Sequence, residues 1–149
     1  MKAFFTDKFE YDFLSTKKWC EHVEEYEDDL NEFISKTISH IINVHHIWIS
    51  RIQRTPIESH TWDRLPMSHW ISLAQDNYRK TIDYLEQLEV LEKINYHDKE
   101  GVKLEKMTID ILYHILNHNN YHRGQIAREM RILGLTPPTF NFIAFKSLV

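Results

Sequence analysis

The stretch HILNHNNYHRGQIAREMRILGLTPP, from His114 to Pro138, carries the clearest structural signal in the chain. His114, His118 and His122 stand four residues apart, and this spacing places all three side chains on one stripe of a helix. The closing Gly-Leu-Thr-Pro-Pro is a typical helix stop signal. We therefore predict a long last helix that opens at Thr108 and displays a row of imidazoles.

Histidines at this spacing suit a divalent metal ion. Two imidazoles at i and i+4 can both reach an ion at about 2.0–2.1 Å, and a third ligand from a facing helix leaves positions open for water or substrate. The segment HNNYH lacks the Glu that serves as general base in zinc proteases, and the chain has no Glu-x-x-His pair of the ferritin-like di-iron type. The competing interpretation is that these are hydrogen-bonded or partly exposed structural histidines.

A second histidine cluster, SHIINVHHIW at residues 39–48, can supply the third ligand from another helix. His40 lies near the edge of the apolar stripe of that helix and can face the core. His45 is a substitute, and His46 points about 100° away from it. The residues alone leave the choice between His40 and His45 open.

The remaining sequence predicts three further helices with polar or turn-forming connections. We expect helix one over about 4–26, helix two from an Asn31 cap to about Gln53, helix three from a Ser68 cap to about Leu91, and a short hairpin over 93–106. The buried side of helix two is expected to include Trp48, and the apolar stripe of helix three to include Leu73. The connection over 54–65 is long enough to cross the molecule, and the apolar tail FNFIAF folds back on it or lies in a subunit contact. The expected fold is all-α, a single domain over residues 1–149.

Composition narrows the classes of function. The formal charge of −4, without any basic run, argues against nucleic acid as a partner. No stretch approaches the roughly 18 consecutive apolar residues of a membrane span, so no membrane partner is expected. The single Cys20 cannot form an intrachain disulfide, and the N-terminus lacks signal-peptide features, which favours the cytoplasm.

These motifs resemble those of the DinB/YfiT-like metalloenzymes over most of the chain. The resemblance is sharpest in the run from His118 through His122, Arg123, Gly124 and Gln125, and it extends to SHIINVHHIWISRI and to INYHDKEGVKL. It implies a four-helix bundle with a crossover between helices two and three and a hairpin before the last helix. It also implies His40, His118 and His122 as ligands of one divalent metal ion, zinc or nickel, in a protein that forms a homodimer.

Several other positions are expected to have supporting roles. His114 matches a family position outside the ligand set, and it and His45 are candidates to orient a ligand or a bound water. Gly124 would cost about 1 kcal/mol in mid-helix relative to Ala, which predicts close approach of another element. Arg123 is expected to pair with an acidic group or a backbone carbonyl rather than to contact the substrate. Asn141 stands where the family often has Asp, so a salt bridge at that position is not expected.

The expected function follows from the metal site. Some relatives are thiol transferases, so the resemblance implies metal-dependent transfer of a small-molecule thiol to an electrophile, with no protein nucleophile assigned. The alternatives are metal-dependent hydrolysis and a non-catalytic metal-binding or dimerisation module. Cys20 is expected to be a buried, incidental thiol.

Overall fold

The computed structural model describes residues 1–87, 92–98 and 100–147. Within these residues the elements are α1 (Lys2–Glu24), α2 (Glu32–Gln53), α3 (Trp70–Gln87), β1 (Lys93–His97), β2 (Lys103–Met107), α4 (Thr108–Ile132) and α5 (Phe142–Lys146). Short 3₁₀ turns precede α2 and α3. The mostly helical fold is confirmed, as is the hairpin before the last long helix.

Helix α2 shows why these segments become helices. The Asn31 side chain accepts a hydrogen bond from the backbone N–H of Ile34, which satisfies one of the unpaired donors of the first turn, as predicted. Arg54 adopts a left-handed conformation (φ 58°) and ends the helix. The buried apolar side chains recur with helical spacing at Ile34, Ile38, Ile41, Ile42, Ile49 and Ile52. Trp48, predicted to be buried with them, is only partly buried.

Two apolar clusters show which helix ends meet. The first joins Trp19 and Val23 of α1, Ile34 and Ile38 of α2, Trp70 and Ala74 of α3, and Ile126 and Met130 of α4. The second joins Phe5 and Phe9 of α1, Ile49 and Ile52 of α2, Leu85 of α3, and Ile111 and Ile115 of α4. Helices α1 and α4 therefore run in one direction and α2 and α3 in the other, with α1 packed on α3 and α2 packed on both α3 and α4.

Because α2 and α3 are parallel, the chain between them must return from one end of the helices to the other. This connection, residues 54–69, passes beside α2 and is fastened to it by hydrogen bonds. The Asn43 amide donates to the Asp63 carbonyl at 2.8 Å, and the Leu65 N–H donates to the Ser39 hydroxyl at 3.1 Å. The connection thus lies against the middle of the helix, where His40 is found.

The hairpin packs at one end of the helices, and the C-terminal tail runs back along α1. Strands β1 and β2 pair antiparallel, with Ile94 buried in the second cluster, and the Asp98 carboxylate accepts the N–H groups of Glu100 and Val102 across the turn. Gly134 at φ 77° follows the end of α4, as the sequence predicts. The tail folds back, since Phe145 is buried against α1 and Tyr11.

Three expectations need correction, and one cannot be compared. Ser68 does not cap α3, because it lies within a 3₁₀ turn and the helix begins at Trp70. Leu73 is exposed, since it faces outward from α3. Gly124 has no close neighbour, for a Cβ added there would meet nothing within 4 Å, so the predicted close approach is wrong. The expected end of helix three near Leu91 lies outside the described residues.

No helix in the described ranges combines the length and the apolar character needed to cross a membrane.

Candidate metal centre

Three histidines from two helices meet between α2 and α4. His40 projects from α2, and His118 and His122 project from successive turns of α4. The Nε2 atoms of His40 and His118 lie 3.0 Å apart, and one ring nitrogen from each of the three residues falls within 4.8 Å of the others. The structure thus brings together the three residues that the resemblance implied as ligands.

The hydrogen bonds of the three rings determine which nitrogen can bind a metal. The Nδ1–H of His40 donates to the backbone carbonyl of Thr61 at 2.9 Å, and the Nδ1–H of His122 donates to the side-chain oxygen Oε1 of Gln125 at 2.7 Å. His118 Nδ1 has a longer contact of 3.4 Å with the side-chain oxygen of Asn119. Because these oxygens accept, Nδ1 carries the proton and the Nε2 lone pairs point into the site.

This donor set fits one divalent ion. Nitrogens bound tetrahedrally at about 2.0–2.1 Å lie about 3.3 Å from one another, and the observed separations of 3.0 Å to at most 4.8 Å bracket that value. With both Nδ1 atoms protonated, the facing Nε2 lone pairs of His40 and His118 repel each other unless a proton or a cation lies between them. Neutral imidazole nitrogens are ligands that zinc and nickel both accept.

The environment keeps the rings neutral. Burial, followed by the proximity of His122, lowers the pKa of His118 to about 4. Burial also lowers the pKa of His40, although its hydrogen bond to the Thr61 carbonyl acts to raise it, and lowers the pKa of His122, although its hydrogen bond to Gln125 acts to raise it. Only the neutral form presents a lone pair, so the site favours ligation.

The connection between α2 and α3 completes the wall of the site. The Trp62 indole stacks on the His40 ring, with 3.7 Å between ring centroids and 9° between planes, although 55% of Trp62 remains exposed. Together with the Thr61 carbonyl, this stacking fixes the His40 ring from outside the helices. Neither residue could be predicted from the sequence, because the polar stretch between Pro56 and Pro66 gives no local sign of a contact with His40.

A buried polar network links α4 to α1. Arg123 donates to Asp12 Oδ1 at 2.7 Å and to the Thr16 hydroxyl at 3.0 Å. The other Asp12 oxygen accepts from the Asn119 amide at 2.8 Å, and Asn119 is the residue whose oxygen faces His118. The expected acidic partner of Arg123 is therefore Asp12. Asp12 and Asn119 had no sequence signal, because lone polar residues in helices are common.

The two other histidine candidates lie apart from the group of three. His114 stands one turn before His118, with 5.6 Å between ring centroids, and its ring lies nearly perpendicular to that of Trp48 at a centroid distance of 5.7 Å. His45 lies on another face of α2, where it packs on Phe9 and its Nε2–H donates to the Thr81 hydroxyl at 2.9 Å. His114 can thus touch a molecule bound beside the three histidines, whereas His45 joins α2 to α1 and α3.

An open cavity of about 900 Å³ adjoins the group of three. His40, His118 and His114 line one part of it, and Val44, Ile47 and Trp48 form an apolar wall along α2. Ligand sites are commonly apolar clefts of this size with a few convergent polar groups. Cys20, in contrast, is fully buried elsewhere, and burial raises the pKa of its thiol to about 12.

His45 is expected to make the protein lose stability in mild acid. Burial lowers its pKa from 6.5 to about 4, so the unfolded chain binds a proton between these values that the folded protein refuses. Stability is complete above pH 6.5 and falls as the pH drops towards 4. Between about pH 7.5 and pH 5, His45 should lower the free energy of unfolding by about 2 kcal/mol.

The measurement is urea unfolding with a chelator present, for the wild type and His45→Gln at both pH values. The pH-dependent loss should be smaller in the variant by about 2 kcal/mol. The matched control is His69→Gln at an exposed position, which should unfold like the wild type. An undiminished loss in His45→Gln would disprove this assignment.

Comparison with models of known protein families gives a match over most of the chain. The sequence model described as "DinB family" matches residues 8–148. The matched region contains all three histidines of the group, the Asp12 and Arg123 pair and the hairpin. No curated protein matches the chain.

Proposed function

The chain belongs to the DinB family, and on that basis we propose that it binds one divalent metal ion through His40, His118 and His122 and uses the ion to transfer a small-molecule thiol to an electrophile. The observation that carries this proposal is the convergence of three neutral imidazoles beside an open cavity. We also propose that the long helices form the family's four-helix bundle with a crossover. Zinc or nickel as the ion, the homodimer and the cytoplasm remain predictions.

Three features of the chain support a bound ion. In each ring the contact at Nδ1 leaves Nε2 unprotonated, so that Nε2 can bind the ion. Two ligands stand on one rigid helix at i and i+4, and the third is held by the stacked Trp62. Three protein ligands leave at least one position open towards the cavity, as in catalytic rather than structural sites.

A bound divalent ion supplies a Lewis acid, which lowers the pKa of a thiol or water that reaches it. The chain itself would position the substrate and hold the metal ligands in place. The apolar wall of Val44, Ile47 and Trp48 favours the carbon chain of a substrate, and the Thr61 and Gln125 oxygens hold the His40 and His122 rings that would bind the ion. In the transfer the thiol loses its proton to solvent, a carbon–sulfur bond forms, and the acceptor releases its leaving group.

The proposed transfer is tested with low-molecular-weight thiols and an alkyl halide acceptor. We expect product formation above the background rate with metal-restored protein, and none above background with chelated protein or His122→Ala. A chelated sample that conjugates thiols as fast as the metal-restored one would refute a metal-dependent transferase.

The alternatives predict different results. A hydrolase of the same site would cleave activated esters only when metal is present, and would not depend on added thiol. A non-catalytic module would bind metal and show neither reaction. The open cavity favours an enzyme over such a module, because a purely structural ion has no need of an accessible position.

Gln125 is expected to tune the affinity for the ion. Its side-chain oxygen fixes the His122 ring at 2.7 Å, and removal of such an outer partner typically weakens metal affinity about 10- to 100-fold. Gln125→Ala should show this loss in a competition titration with a chromophoric chelator. Gln125→Glu keeps an acceptor and should retain the affinity. The matched control is Gln75→Ala on the exposed face of α3, and equal affinities for Gln125→Ala and this control would rule the role out.

A further inference from the structure

The cavity beside the three histidines is lined by a positively charged side chain that takes no part in the proposed metal site. Arg51 of α2 lines this cavity together with Trp48 and Tyr96. Its guanidinium carbon lies 4.7 Å from the centre of the Trp48 ring and 4.6 Å from that of Tyr96. The Trp48 and Tyr96 rings thus hold the guanidinium in place, and the Arg51 side chain is half-buried.

The position of Arg51 follows from the helix period. His40, Val44, Ile47, Trp48 and Arg51 recur at spacings of four, three, one and three, so they form one stripe of α2. Helical side chains lean towards the N-terminus, and the guanidinium accordingly lies back over Trp48. Trp48 is eight residues after His40, a rise of about 12 Å along the helix axis.

The acidic side chains around the cavity are engaged elsewhere. Asp98 accepts the N–H groups of Glu100 and Val102 in the hairpin turn, and Asp63 accepts the N–H of His60. Among the described residues, no carboxylate oxygen lies within 4 Å of the Arg51 nitrogens, whereas Arg54 pairs with Glu92 at 3.4 Å. The planar donors of Arg51 are therefore available for a bound carboxylate.

We propose that Arg51, held between Trp48 and Tyr96, binds a carboxylate on the substrate, so that the substrate is an acidic thiol whose sulfur lies at the three histidines. This inference rests on the proposed function and adds the substrate class to it. His40 and Arg51 stand about three helical turns apart on one stripe of α2, so the substrate would carry its thiol and its carboxylate at opposite ends. The apolar wall between them suits a carbon chain.

The test uses ω-mercaptocarboxylates of increasing chain length and the ω-mercaptoalcohols that match them, titrated calorimetrically into the cobalt-loaded full-length protein. A thiolate-to-cobalt absorption band reports contact of sulfur with the ion independently of turnover. We expect the best carboxylate to bind about tenfold more tightly than its alcohol, with an optimum at intermediate length.

Variants separate the role of Arg51 from the metal site. Arg51→Gln should lose the tenfold preference and keep the alcohol affinity and the cobalt band, while Arg51→Lys should keep part of the preference. The control Arg54→Gln, three residues further on, should keep all of it. Melting curves check that the variants are folded.

The outcomes distinguish the two proposals. A cobalt-loaded protein that shows the sulfur band without any preference for carboxylate, or an unchanged preference in Arg51→Gln, overturns the Arg51 inference alone. Failure to bind cobalt, or to show the band with any thiol, contradicts the metal-dependent function. In that case alkanoates without a thiol still test Arg51, because their binding should weaken in Arg51→Gln and not in Arg54→Gln.

Discussion

Replacement of Arg123 by Met is expected to lower the free energy of unfolding by about 3–5 kcal/mol, because it leaves the Asp12 carboxylate buried without its charged partner. The pair is almost fully enclosed, with side-chain exposures of 6% for Arg123 and 4% for Asp12, and the two charged atoms lie 2.7 Å apart. Thr16 also loses its donor. Chemical denaturation of the metal-free protein at neutral pH measures the effect directly.

A double-mutant cycle separates the ion pair from simple loss of packing. Asp12→Leu combined with Arg123→Met removes both charges. The double variant should therefore lose less free energy of unfolding than the two single variants lose in sum. The control is Arg128→Met at an exposed position of the same helix, which should change stability by less than about 0.5 kcal/mol. Additive costs in the cycle would show that the pair is not coupled.

Metal binding should stabilise the folded protein by a comparable amount. An ion that binds only the folded state contributes about 4 kcal/mol when its free concentration is a thousand times the dissociation constant. We therefore expect zinc or nickel to raise the melting temperature of the wild type by several degrees, and the chelator to reverse the rise. His40→Ala should remove this response, since it deletes the ligand from α2.

The matched control for this prediction is His46→Ala. His46 also lies on α2, but its ring accepts the Glu58 N–H at 3.2 Å and does not belong to the group of three. The control should respond to metal as the wild type does. If His40→Ala and the wild type gained the same thermal stability from the ion, the site would have to lie elsewhere.

The sequence predicted the helices well because their signals are local. The Asn31 cap, the isoleucine spacing of α2 and the Gly134 stop depend on residues within one or two turns. The error at Gly124 arose because local sequence does not tell which face of a helix meets a neighbour. Leu73 was misplaced for the same reason.

The candidate site was predictable only in part. Spacing alone nominated His118 and His122, and the family resemblance chose His40 over His45, which the structure places near Thr81. Trp62 and Asp12 could not be predicted, since their contacts with His40 and Arg123 depend on how distant segments pack. Arg51 had the spacing of the α2 stripe, but only the cavity shows what that stripe faces.

Metal content tests most directly whether His40, His118 and His122 hold one divalent ion. Protein purified without an affinity tag, loaded with zinc or nickel and then desalted, should contain about one ion per chain by elemental analysis. His118→Ala with His122→Ala should contain almost none, whereas His22→Ala with His69→Ala, outside the group of three, should contain as much as the wild type. Equal metal content in the wild type and the His118→Ala, His122→Ala variant would contradict the account.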